Sequence, residues 1–195
     1  MEVTDLSVPK TELLGSPFLR KISNAVSFPL SHESKATIEE LKESLAECRS
    51  SLGFGRAIAA PQIGRPYRIV YTQTDEPRVL INPRIVRRSE ERFELWDDCL
   101  SLPDLLVWVA RSREVEVEYC DSDGKQQTWS AVNDMAELLQ HEIDHLDGVL
   151  MIDRAVGRNS IYLREEYRKQ IQDDPDLQRR GPRVLNKDWG IQGSS

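Results

Sequence analysis

The chain holds few of the residues that most often carry chemistry or staple a fold: three cysteines and three histidines in 195 residues. Cysteines odd in number and spread to Cys48, Cys99 and Cys120 exclude a disulfide framework and fit a reducing compartment. No apolar run approaches the roughly 20 residues of a membrane-spanning helix. The opening MEVTDLSVPK lacks the basic start and apolar stretch of a secretory signal. The expectation is a cytoplasmic protein, an organelle address requiring a targeting segment outside this chain. Positive charge is in deficit, with 26 Lys and Arg against 33 Asp and Glu and a net charge of −7. That balance argues against nucleic acid as a direct partner. Repeats, low-complexity tracts and long linkers are missing too, so the reading is one domain over residues 1–195. Its end, residues 173–195, with Pro175, Gly181 and Pro182, reads as a loosely ordered tail.

The scarce histidines are not scattered. In LLQHEIDHLDG, residues 138–148, His141 and His145 stand four apart with Glu142 between them. The surrounding pattern reads as a helix, with Asn133 as its cap, Asp134 at the positive end of the dipole and Gly148 as a left-handed stop. On such a helix both imidazoles project from one face, one turn apart, beside the carboxylate. This HExxH arrangement supplies two metal ligands and a general base for an activated water.

Around it the periodicity predicts an α+β fold: antiparallel strands around a central HExxH metal-binding helix, with a C-terminal helix. Residues 36–53 read as a helix with Ile38, Leu41, Leu45, Cys48 and Leu52 on one stripe, which makes Cys48 a core residue. AIAA, YRIVYT and RVLINP are strand candidates. REVEVEYC alternates strictly and, through the turn DSDG, pairs with KQQTWSA as a hairpin with one wet face. The C-terminal helix is expected over residues 159–172.

A catalytic metal site of this kind needs a third protein ligand and an open position. The residues offer two. Glu165, twenty residues past His145, would give a thermolysin-like endopeptidase. Cys99, in LWDDCLSLPD, would bring a thiolate suited to a divalent ion. A third segment, GRAIAAPQIG (residues 55–64), combines small residues with one amide, Gln62, able to donate to a developing oxyanion.

Taken in order, Gly55-x-x-Ile58-Ala59-Ala60-x-Gln62, Cys99-Leu100-Ser101 and His141-Glu142-x-x-His145 resemble the three motifs of the peptide deformylases. SPFLRK resembles that family's N-terminal segment, and the likeness spans about residues 15–155. The resemblance implies removal of the N-formyl group from the initiator methionine of new polypeptides. It implies one divalent metal ion on Cys99, His141 and His145, natively Fe²⁺ and replaceable by Zn²⁺, Ni²⁺ or Co²⁺. Glu142 would be the base, and Gln62 with the backbone N–H of Leu100 would stabilise the oxyanion. Asp97 and Arg111 would support the ligands from behind. Arg56, Ala57, Leu95, Asp134, Glu137 and Leu138 would border the substrate side chain, while Asp98 and Leu106 would lie along the peptide. A monomer or homodimer with weak ribosome association through the C-terminal helix completes the implication.

The chain departs from the family pattern at several of these positions. Ala57 replaces a usual glycine, Arg56 an aliphatic residue, Asp97-Asp98 a Glu-Gly pair, and Leu106 the arginine of many bacterial members. Arg56 facing Asp134 or Glu137 would make a polar pocket. An amidase acting on a different N-formylated substrate is therefore the alternative, and a non-catalytic binding protein a more distant one.

Overall fold

The computed structural model describes residues 11–170 and residue 173. The tail expected over residues 173–195 lies outside the described residues, Asp173 apart.

Helix α1 (His32–Leu52) starts earlier than its apolar stripe. Ser31 caps it by accepting the Ser34 N–H at 3.1 Å, and Gly53 ends it at φ 77°. The chain continues through β1 (Ala57–Ala59), a 3₁₀ turn (Ala60–Ile63), β2 (Ile69–Thr72) and β3 (Arg78–Arg88). Two long strands follow, β4 (Arg92–Cys99) and β5 (Leu102–Ser112), then the hairpin of β6 (Glu114–Cys120) and β7 (Gln126–Val132). Helix α2 (Asp134–Leu146), β8 (Ile161–Leu163) and α3 (Arg164–Gln170) complete the order. The strands form a five-stranded sheet, β1-β2-β3-β6-β7, and a three-stranded one, β4-β5-β8, antiparallel throughout. The α+β architecture is the one the periodicity predicts.

Alternation along the strands decides what each sheet face covers. Ile69, Tyr71 and Ile81 pack under α1 with Ile38, Leu41, Leu45 and Cys48. Val70, Leu80, Val115, Val117 and Tyr119 point the other way and meet Ala136, Leu139, Ile143 and Leu146 of α2. Those four recur at helical spacing, so α2 lays one stripe on the larger sheet. Its opposite stripe turns to the β4–β5 hairpin. There Gln140 accepts the Ser112 N–H at 3.0 Å and donates to the Ser112 carbonyl at 2.9 Å. The metal-binding helix is thus buried between two sheets, from Ala136 to Leu146.

One hairpin goes unread in the sequence, and two local expectations are corrected. The β4–β5 hairpin is continuous strand, although its sequence breaks the alternation with charges at Asp97, Asp98 and Asp104. The expected helix over 159–172 is instead a short strand and then a shorter helix. Leu105, Leu106 and Val107 offer β8 an edge to pair with, and Tyr162 turns in to meet Trp96 at 5.4 Å. Asn133 does stand before α2, but its side chain does not cap it. At φ 51° its amide oxygen turns away and accepts from Arg113 Nη1 at 3.0 Å.

Candidate active site

Helix α2 aims His141 and His145 at the end of β4, where Cys99 sits beside the bulge closing the β4–β5 hairpin. Cys99 Sγ lies 3.2 Å from His145 Nε2, and one ligand atom from each of Cys99, His141 and His145 falls within 4.8 Å of the others. All three are buried. A thiol with two imidazoles at this spacing is the donor set of a single divalent ion. The neighbouring Glu142 is 3% exposed, and its Oε2 finds no partner among the described residues. A buried acceptor without a donor fits a site made to hold a cation and its water.

Charges behind the ligands fix their orientation. Asp97 Oδ1 lies 2.8 Å from His141 Nδ1, leaving Nε2 for the metal side. The other Asp97 oxygen accepts from Arg111 Nη2 at 2.9 Å. Arg111 also donates to Asp144, which accepts from Arg154 at 2.7 and 3.1 Å. Burial opposes charge on Asp97, yet His141 and Arg111 hold its carboxyl well below the usual carboxylate range. Burial, with Glu137 and Asp97 in support and His141 opposing, pushes the Glu142 carboxyl up to about 7. A cation beside it would pull that value back down.

Gln62 enters from the 3₁₀ turn after β1. Its Oε1 accepts the Ala59 N–H at 2.8 Å, which fixes the amide and leaves Nε2 facing Ser101 Oγ at 3.3 Å and Cys99 Sγ at 3.6 Å. The Ser101 N–H donates to the same sulfur at 3.4 Å. These groups open on a cavity of about 180 Å³. Gln62, Cys99, Leu100, His141 and Glu142 line it, and Ala57, Leu95 and Leu138 give it apolar wall. Arg56, Asp98, Asp134 and Glu137 line it as well. Arg56 Nη2 donates to Glu137 Oε2 at 2.6 Å, and Nη1 reaches the Asp134 carbonyl at 3.4 Å.

Two residues named from sequence lie apart. Leu106 is fully buried on the far face of β5, in a cluster with Trp96, Trp108 and Tyr167, and does not line the cavity. Residues on one strand alternate in direction, and Leu106 takes the face opposite Val107. Glu165 stands 76% exposed on α3, paired with Lys169 at 2.8 Å, so the endopeptidase-like ligand set does not assemble. The structure adds residues the sequence reading missed. Arg164 donates to Asp98 at 3.1 Å and lies over the Phe54 ring at 4.5 Å, tying the C-terminal segment to the cavity wall. Asp144 carried a usable signal, being one helical turn from His141, whereas nothing in the sequence joins Arg164 to Asp98.

An HExxH helix between two antiparallel sheets, completed by a cysteine from a neighbouring strand, defines a metal-dependent hydrolase. Within that class, the chain belongs to the polypeptide deformylase family, whose model matches residues 10–160. It is 41% identical over 146 residues to a peptide deformylase of Pseudothermotoga lettingae, covering 75% of this chain and 82% of that one. It is 36% identical over 170 residues to peptide deformylase 2 of a Nostoc species, covering 81% and 92%. Among solved structures, a peptide deformylase from Synechococcus elongatus in complex with actinonin aligns with a TM-score of 0.70 at 31% identity, over 81% of this chain and 84% of that chain. A Plasmodium falciparum peptide deformylase in complex with an inhibitor aligns at 0.67 and 26% identity, over 87% and 97%.

Proposed function

We propose that this protein removes the N-formyl group from the N-terminal methionine of newly made polypeptides, releasing formate and a free amine. The observation that carries the reading is the convergence of Cys99, His141 and His145 within 4.8 Å, beside Glu142 and Gln62 at the end of one cavity. Cys99, His141 and His145 would hold a divalent ion, Fe²⁺ or a substitute such as Zn²⁺, Ni²⁺ or Co²⁺, which would supply Lewis acidity there. Glu142 takes the proton from the attacking water. The Gln62 amide, held by the Ala59 N–H, and the Leu100 N–H donate to the oxyanion that forms on the formyl oxygen. Glu142 then delivers the proton to the departing nitrogen as the C–N bond breaks. Asp97, with Arg111 behind it, holds His141 in one tautomer throughout.

The same proposal places the enzyme in the cytoplasm as a monomer or homodimer, with weak ribosome association through the exposed charges of α3. No helix among the described residues is long and apolar enough to cross a membrane. The test is release of the free N-terminal amine from formyl-Met-Ala-Ser and acetyl-Met-Ala-Ser, with formate assayed for the first, by protein purified without oxygen and assayed for metal. Free amine from the formyl peptide alone, matched by an equal amount of formate and with one metal ion per chain, is expected. A folded, metal-loaded protein that releases no formate overturns the proposal.

A further inference from the structure

We infer that Arg164 is a positioning residue for the reaction: its guanidinium staples the loop that carries Cys99, the Leu100 N–H and Ser101. It thereby fixes the thiolate and the oxyanion donor relative to the histidines of α2. The kinetic part of the inference rests on the proposed deformylase reaction, whereas the metal-binding part stands on the ligand set alone.

The β4–β5 ladder loses its register at this loop. Asp97 pairs with Val107, whereas Cys99 pairs with Leu102. Cross-strand pairing alone therefore does not set the stretch between Asp98 and Pro103. Arg164 reaches both ends of it. Its Nη2 donates to Asp98 Oδ2 at 3.1 Å and its Nε to the Pro103 carbonyl at 2.9 Å. A guanidinium is planar and rigid, so one group fixes the span across the loop. The same guanidinium lies over the Phe54 ring at 4.5 Å, and Phe54 opens the run that leads to Gln62. That run backs the loop directly, since a Cβ added to Gly55 would stand 3.3 Å from Leu100 Cδ2. Arg164 thus touches both segments that bring donors to the oxyanion. It is itself 5% exposed and held from either side. Leu163 before it pairs with Leu105, and Tyr167 after it packs on Trp96. Burying a guanidinium beside a carboxylate gains little stability over an apolar pair, so the contact contributes chiefly the geometry it enforces.

The test compares wild type, Arg164→Gln and Arg164→Lys in three quantities. These are the Zn²⁺ affinity of the apo protein by chelator competition, the thiolate-to-metal absorption band of the Co²⁺-loaded protein, and kcat and KM for formate release from formyl-Met-Ala-Ser. Arg164→Gln should lose roughly tenfold in Zn²⁺ affinity and roughly tenfold in kcat, with KM changed by less than about threefold, as losses behind metal ligands do. Its Co²⁺ band should shift, because the sulfur no longer sits where the loop held it. Arg164→Lys keeps a charge for Asp98 but lacks the fork that spans to Pro103, so it should fall between the two. Thermal melting of each variant reads stability separately. A Gln variant that melts lower yet keeps wild-type affinity, band and kcat overturns the inference, since Arg164 would then serve stability alone. If the Gln variant does not fold, Arg164→Lys decides, and wild-type values of all three quantities in it overturn the inference equally. No formate from metal-loaded wild type overturns the deformylase reading instead, and the affinity and the Co²⁺ band still decide the role of Arg164.

Discussion

In the proposed site, Asp97 would set how His141 presents itself to a metal ion. One oxygen meets Nδ1 at 2.8 Å and the other is held by Arg111 at 2.9 Å, so the imidazole can neither flip nor change tautomer cheaply. Asp97→Asn should weaken metal affinity roughly 10–100-fold while leaving the three ligands in place. Titration of apo protein with Zn²⁺ against a competing chelator checks this, and unchanged affinity would place the tautomer's control elsewhere. Cys99→Ser should be more severe, because a neutral hydroxyl replaces a thiolate that accepts the Ser101 N–H and faces His145. Glu165→Gln, exposed on α3, should leave metal content and turnover as they are. Metal analysis of the two purified variants separates them. Family resemblance places Cys99, Gln62, Asp97 and Arg111 in this centre, and local geometry places the rest. His141, Glu142 and His145 are set by helical spacing alone. Arg164 was not legible, since its bond to Asp98 depends on where a distant segment docks.

The elements show the same division. Helix α2 follows from its apolar period, and Gly148 closes it at φ 73° where an added Cβ would fall 2.7 Å from the Arg20 carbonyl oxygen. The β4–β5 hairpin did not follow, because its buried charges are satisfied by residues the local sequence does not show. Asp97 faces α2, and Asp98 faces Arg164. Helix α3 is expected from the sequence, but its start is misplaced because residues 161–163 pair with β5. Its charged surface resembles a solvated helix, but Tyr167 is 1% exposed and meets Trp96 with ring centroids 5.0 Å apart. Tyr167→Ala should therefore cost about 3–5 kcal/mol, as large aromatic truncations do. Tyr167→Phe should be close to neutral, because the hydroxyl finds no partner among the described residues. Denaturant unfolding of both variants tests the pair. A costly Phe variant would mean that the hydroxyl is bonded after all.

For the molecule as a whole, the metal centre is also a joint. Cys99 belongs to the three-stranded sheet, and both histidines belong to the helix packed on the five-stranded one. An ion bound by all three clamps the two layers, and binding only the folded state adds about 2.7 kcal/mol at a hundredfold excess over Kd. For a domain of this size, that corresponds to a rise in Tm of roughly 5–10 °C. Thermal melts of chelated and reloaded protein should show that difference, and Cys99→Ser should lose most of it. Equal melting temperatures with and without ion would contradict a site that bridges the layers. The central claim is that these layers meet to let Glu142 move a proton beside the side chains that would hold a metal ion. Its most direct test is formate release from formyl-Met-Ala-Ser by wild type and Glu142→Ala, each first shown to carry the same metal content. Glu142 is not a ligand, so the variant should keep its ion and lose roughly 10²–10⁴-fold in turnover. A metal-replete Glu142→Ala protein that still works at more than about a tenth of the wild-type rate would contradict the account, because a positioned general base is worth more than that.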